Sequence, residues 1–375
     1  MRNFMKLWEK EFNAHKLKRA LKRATRQRSN SITKNSSLNV TRSGKRKKIP
    51  NKDKIVAPNI IDLYTTKYHD KMVIFVADIE KKAREIGIST DRKVHICFRN
   101  TTAITAAAGL WLLARIESIR VMFPHVKYIV TRPLPVKVAS SHEKKHVVDS
   151  VLNRIGFYEA VGLKSRKLQE IANVKCWEVL RGEEVMSSAV GQLLENVTQK
   201  LEVDYSGLYR PLIEAMANSV EHAYRSDLYK TTKLSNTNKW WCFAALLENR
   251  LTVLICDLGV GIPNTLKKTQ PSNIMLKLIQ YIGKNLSSDS DYIRASLQVK
   301  KTRTKLAYRG KGGTDLQSII EAVEGSRLSI MSNKGNYRFT NKGNKKKPEL
   351  CWDGSQSISG TIVEWSIILP ISGAL

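Results

Sequence analysis

Residues 214–224 read EAMANSVEHAY. Wound as a helix, they set Glu214, Asn218 and then Glu221 or His222 at spacings of four and three or four, on one face and about one turn apart. The opposite stripe, Leu212, Ala215, Met216, Ser219 and Ala223, is small or apolar and suits packing on a sheet. A carboxylate one turn before a carboxamide is a pair that a metal–anion site can use. Asn218 offers an oxygen to Mg²⁺, and Glu214 can orient or deprotonate a water. The same pair is also what a solvated helix face looks like, so its weight depends on the rest of the chain.

Two later stretches add weight. CDLGVGIP, Cys256 to Pro263, follows the apolar run Leu251–Ile255, so Asp257 sits where a strand ends. Gly259 and Gly261 then open a turn tight enough for a ligand to approach the backbone. RGKGGTDLQSII, Arg309 to Ile320, is a glycine-rich turn running into an apolar-periodic helix, whose free N–H groups suit phosphate. SGTIVEWSIILP, ending at Pro370, supplies a closing strand.

In this order the motifs resemble the GHKL ATP-binding domain: ExxxNxxEHA, DxGxGIP, GxGGxxL, then GT before a last apolar strand. That superfamily includes type II topoisomerases, chaperones of the heat-shock ninety class, mismatch-repair ATPases, histidine kinases and anti-sigma-factor serine kinases. The resemblance covers roughly residues 188–375. It implies a two-layer α/β sandwich, the Bergerat fold, binding Mg²⁺ and ATP. By the same resemblance Asn218 holds the metal, Asp257 accepts the adenine amino group, and Glu214 is the catalytic base. Gly259 and Gly261 fall beside the adenine, Gly310, Gly312 and Gly313 form the phosphate turn, and Thr361 helps fix the adenine. One departure stands out: Asp315 occupies a place where many members carry glycine.

Charge points to partners. The chain of 375 residues has a net charge of +31. Residues 1–58 hold 18 Lys and Arg against Glu9, Glu11 and Asp53, which leaves 46 basic and 30 acidic residues elsewhere, so the basicity is spread over the whole chain. Such a field attracts nucleic acid or another polyanion. Five cysteines, Cys97, Cys176, Cys242, Cys256 and Cys351, show no CxxC pairing, and Cys242 and Cys256 fall in core strands, which suggests reduced thiols. With no apolar run long enough for a transmembrane helix and no apolar signal core, the expected location is cytoplasmic.

Three segments are expected. Residues 1–58 form a basic arm and linker: an amphipathic helix to about residue 28, with Met1, Phe4, Trp8 and Phe12 as its stripe, then a polar linker over 29–58 containing KRKK at 45–48. Residues 59–185 form a smaller α/β unit, with strands at 93–98 and 126–133, a long apolar helix within 101–123 and another helix at 147–162. ICFRNTTAITAAAGLWLLA in that unit faintly resembles STAS domains, although Ala107 and Ala108 stand where partner-switching members carry a phosphorylatable serine. Residues 186–375 form the ATP-binding domain, with lysines between 263 and 309 in the region of the family's ATP lid. His142–Glu143–Lys144–Lys145–His146 matches the HExxH zinc helix, but two intervening lysines and a Ser140–Ser141 flank favour the start of a surface helix.

The expected function is a nucleotide-driven conformational switch with slow ATP turnover, acting on a nucleic-acid-associated or protein partner, with an ATP-dependent homodimer as one form. A serine/threonine kinase of the anti-sigma type and a non-hydrolysing, nucleotide-gated DNA- or RNA-binding module are the alternatives.

Overall fold

Along Arg250–Asp257 both alternating sets of side chains are apolar, and from Leu251 onward every residue is buried. A strand buried on both faces must lie inside a layered structure, and the architecture follows from that. The structure, a computed structural model, describes residues 54–87, 92–137, 144–165, 178–198, 206–225, 227, 238–247, 250–283, 285–303, 312–343 and 349–369. All of them belong to one compact unit spanning residues 51–375.

The first part of this unit is a small parallel layer. It runs β1 (Lys54–Val56), β2 (Ile60–Ile61), α1 (Thr66–Ile86), β3 (Lys93–Cys97), β4 (Ala103–Ile104), α2 (Ala106–Met122), β5 (Lys127–Thr131), β6 (Val136–Lys137), β7 (Lys144–Lys145), α3 (Val147–Arg154) and α4 (Phe157–Ala160). β1, β3 and β5 form a parallel sheet in the order β1-β3-β5. The linker expected over 29–58 therefore ends earlier than read: the apolar run Ile55–Val56–Ala57 adds an edge strand to β3. The helix expected over 147–162 is two helices, because Gly156 takes φ +85° and breaks it. His146 precedes α3 rather than lying in it, and Lys144–Lys145 pair with β6, so HEKKH is no metal helix. Among the described residues no cluster of three or more His, Cys, Asp or Glu is placed to hold a metal.

The second part comprises β8 (Glu178–Gly182), α5 (Ser187–Thr198), α6 (Tyr209–Asn218), β9 (Trp240–Leu247), β10 (Arg250–Asp257), α7 (Ile262–Thr269), α8 (Ser272–Ile282), α9 (Asp289–Arg303), α10 (Gly312–Ala322), β11 (Arg327–Ser332), β12 (Gly335–Thr340), β13 (Glu349–Asp353) and β14 (Thr361–Ile368). Its seven strands make one antiparallel sheet in the order β13-β12-β11-β14-β10-β9-β8. The chain is thus of mixed α/β class.

Period-two alternation decides which side chains go where. Trp240, Cys242, Leu251, Val253, Ile255, Leu328, Ile330, Val363, Trp365 and Ile367 face one core with α5, α6, α9 and α10. Trp241, Phe243, Leu254, Cys256, Met331 and Ile362 face the other, shared with the small parallel layer. The sheet therefore has cover on two sides, where the sequence led us to expect a two-layer sandwich. The covering element on the second side is α2, whose residues Ala107–Ala114 are all buried. A helix apolar all round has no solvent face, and α2 packs on β9, β10 and β14. Polar ties fix its position: Trp111 Nε1 donates to the Ile358 carbonyl (2.9 Å), and Trp241 Nε1 donates to Glu117 Oε2 (2.9 Å). Cys242 and Cys256 are free, buried thiols, as expected of core strands, and burial pushes the Cys242 thiol up to about 12. Cys176 lies outside the described residues, as do the amphipathic segment 1–28 and KRKK at 45–48. Among the described residues no helix is long and apolar enough to cross a membrane.

Candidate functional site

The motif helix buries the stripe read from its spacing: Leu212, Ala215, Met216, Ser219 and Ala223 all pack inward. It changes pitch partway. Tyr209–Asn218 is α-helical, and Ser219–Ala223 is a π turn. A wider turn needs more residues to come round to the same face, so i+4 rather than i+3 follows Asn218 there. His222, and not Glu221, therefore joins Asn218 in lining a cavity of about 360 Å³, within the range of small-molecule sites.

The antiparallel register brings the second and fourth motifs together, because Asp257 of β10 pairs directly with Thr361 of β14. Both side chains line the cavity, with Ser219, Arg225, Gly261, Ile262, Leu316 and Val363 among its other walls. Asp257 is 6% exposed. Its Oδ1 accepts the Gly259 N–H (2.9 Å), and the Ser219 hydroxyl lies 3.3 Å from its Oδ2. Burial outweighs these bonds and pushes the carboxyl up to about 6.

Behind the cavity, three loops are laced together. Val260 N–H donates to the Ala223 carbonyl (2.9 Å), tying the DLGVGIP turn to the end of the motif helix. Asn333, held at φ +54°, donates from Nδ2 to the Val260 carbonyl (2.9 Å) and from its backbone N–H to Gly360 (3.1 Å), and its carbonyl accepts the Ile358 N–H (3.0 Å). Ser332 Oγ accepts the Ile262 N–H (2.9 Å) and lies 3.0 Å from Thr361 Oγ1. Tyr224 closes the far end, its hydroxyl accepting the Leu258 N–H (2.8 Å) and donating to the Lys239 carbonyl (2.5 Å).

Of the residues singled out in the sequence, Asn218, Asp257, Gly261 and Thr361 meet in the cavity. Glu214 is not one of its lining residues; its Oε1 lies 3.4 Å from Asn218 Nδ2. Gly259 also stands behind the wall. A Cβ there would lie 2.3 Å from the Ala223 carbonyl oxygen, and one at Gly261, whose φ is +82°, would lie 2.5 Å from Asn333 Nδ2. Both glycines are thus required by the protein's own close approaches. Gly312 and Gly313 begin α10, which sends Leu316 to the cavity, and Gly310 lies outside the described residues.

Comparison with protein-family models, curated proteins and solved structures finds no match.

The region between 263 and 309, where the ATP lid was expected, folds over its described residues as α7, α8 and α9, and with Ile262 it contributes neutral side chains to the cavity: Thr265, Leu266, Thr269, Gln270, Ser296 and Leu297. Lys267, Lys268 and Lys277 are exposed and line none of it. The basic groups that do line it are His222 and Arg225, the latter paired with Asp227 (2.6 Å). Sequence reasoning passed over Ser219, Arg225, Ser332 and Asn333. Ser219 was visible only as a small residue on the buried stripe, and the other three carry no spacing signal.

Proposed function

We propose that the cavity is a nucleotide site that binds ATP with Mg²⁺ in the manner of a GHKL, Bergerat-type domain, and that the protein is a nucleotide-driven switch. The observation that carries this reading is Asp257, a buried carboxylate at a strand end, opening into an apolar cavity beside Thr361 and Gly261. A desolvated acceptor of this kind selects a flat ligand with an amino donor, and adenine fits that description. His222 and Arg225 also line the cavity, and such basic groups suit the phosphates, which carry the ligand's charge.

Asn218 suits Mg²⁺. With its Nδ2 turned to Glu214, the amide keeps Oδ1 for a cation, and Mg²⁺ is characteristically held by one or two protein oxygens together with substrate phosphates and water. When bound, the ion would neutralise phosphate charge. Glu214 lies against the Asn218 amide and is not itself among the lining residues, which suits slow turnover, or none, better than a committed hydrolase. That geometry also keeps open the nucleotide-gated binding module, which needs no general base. The net charge of +31 supports a polyanion as the partner that reads the switch.

Incubation with γ-³²P-ATP, with and without nucleic acid, tests the proposal on the wild type beside Asn218→Ala and Asp257→Asn. Free labelled phosphate, lost in Asn218→Ala, is the expected result for the hydrolytic switch. Tight binding without turnover leaves the gated module, and label on a protein moves the reading to a kinase. Failure of the wild type to bind ATP overturns the nucleotide site.

A further inference from the structure

Arg225 and Asp227 follow the point where the motif helix ends. On a helix, residues two apart do not face each other. Here the π turn Ser219–Ala223 stops at Tyr224, which takes φ −115° and ψ 28°, and the chain leaves the helical path. The two side chains can then meet. Tyr224 is pinned through its hydroxyl to the Leu258 N–H and the Lys239 carbonyl, which fixes the point from which Arg225 starts. Both carboxylate oxygens of Asp227 are engaged: Arg225 Nε donates to Oδ1 (3.0 Å) and Nη2 donates to Oδ2 (2.6 Å). A guanidinium uses this same two-pronged grip on a phosphate.

The pair stands at the cavity. Arg225 lines it and Asp227 does not, and among the described lining residues Arg225 is the only arginine or lysine. His222 is charged only when protonated, and Glu221 Oε2 lies 3.9 Å from its Nε2, beyond hydrogen-bond reach. The Arg225–Asp227 pair is open to solvent, with side chains 39% and 58% exposed. Hydrogen bonds from Arg225, and more weakly the charge of Lys268, hold the Asp227 carboxyl below its ordinary range. An exposed ion pair contributes little to stability, so giving this one up costs the fold little. The carboxylate is nevertheless tethered two residues from the guanidinium, and its local concentration there does not fall on dilution.

We propose that Asp227 is an autoinhibitory contact of the cavity: its carboxylate holds the Arg225 fork, and the phosphate chain of a ligand must displace it. The inference rests on the nucleotide reading of the cavity and adds how that site's affinity is set. A nucleoside without phosphate offers Arg225 nothing and leaves the pair intact. A polyphosphate chain takes the guanidinium, which exchanges one bidentate partner for another and is never left unpaired. Apparent affinity for the chain is lowered by the fraction of molecules in which the fork is already held. The coupling is reciprocal, so a bound phosphate chain releases an exposed carboxylate within the field of Lys268.

The test is calorimetry on the full chain at fixed ionic strength and magnesium concentration, with ATP, inorganic tripolyphosphate and adenosine as probes. Asp227→Ala should tighten ATP and tripolyphosphate about threefold and leave adenosine unchanged. Arg225→Gln should weaken both phosphate ligands about tenfold, and the double variant should match Arg225→Gln alone. Persistence of the Asp227→Ala gain in the Arg225→Gln background would show a general charge effect and overturn the proposal. An equal gain for adenosine, or no gain for either phosphate ligand, would overturn it as well. The two readings separate on the probes. ATP binding that is indifferent to Asp227→Ala leaves the nucleotide site standing without this contact. Tripolyphosphate binding that depends on Asp227 through Arg225, in a chain that does not take ATP, keeps the contact and removes the nucleotide site.

Discussion

The two faces of the seven-stranded sheet carry the same alternation and opposite outcomes. On the face toward α5, α6, α9 and α10, the apolar rows of β10 and β14 end at Asp257 and Thr361, and a cavity opens there. On the other face the same strands run beneath α2, where the Trp111 indole nitrogen donates to the Ile358 carbonyl and the Trp241 indole nitrogen to Glu117. The difference teaches that the cavity depends on where the rows stop. A strand-end carboxylate is held open by loops from three other places in the chain, whereas the helix-covered face closes over it from behind.

The sharpest way to break this comparison is Trp111→Ala. If the α2 face is integral to the fold, the truncation should cost about 4 kcal/mol, from the lost indole volume and the unpaired Ile358 carbonyl, and should lower nucleotide affinity as Asn333 loses its support. Urea unfolding checks it: two separate transitions with intact nucleotide affinity would make the faces independent.

Gly259→Ala comes next. Its Cβ would meet the Ala223 carbonyl oxygen at 2.3 Å, a backbone atom that cannot swing away, so a loss of about 3 kcal/mol is expected. The glycine serves internal packing if the melting temperature falls strongly. An unchanged melting temperature with lost nucleotide binding would return it to the ligand side.

Asp257 gives the third. Its folded value of about 6 lies above the ordinary aspartate value of 3.8, so the protonated form is favoured by folding. The stability it contributes is complete below pH 3.8 and is lost as pH rises through about 6, by up to about 3 kcal/mol. Unfolding measured from pH 4 to 8 should show this loss in the wild type, relative to Asp257→Asn. Nucleotide affinity should move the other way, rising through the same window as the acceptor ionises.

The smallest effect is expected of Asn333→Gly, which keeps the positive φ and removes only the side-chain bond to Val260. A cost of about 1 kcal/mol is expected, with a measurable rise in the nucleotide Kd. An unaltered Kd would show that the DLGVGIP turn holds its shape without the bridge.

Much of this was legible in the residues. The periodicity of EAMANSVEHAY announced the buried stripe, and the apolar run Leu251–Ile255 announced the strand that ends at Asp257. The all-apolar run in α2 marked a helix with no solvent face, though not what would cover it. Linear order had no way to indicate the π turn that selects His222 over Glu221, since a local widening of the helix leaves no compositional trace.

By itself, then, the sequence determined element type and which side of each strand or helix is apolar, because those depend on local spacing and on the backbone freedom of residues such as Gly156. Only the tertiary structure decided that Asp257 stands opposite Thr361 and that Gly259 is filled from behind by Ala223. These depend on strand register and loop closure between segments up to about a hundred residues apart in the chain, and no local periodicity encodes which distant strand a given residue will meet.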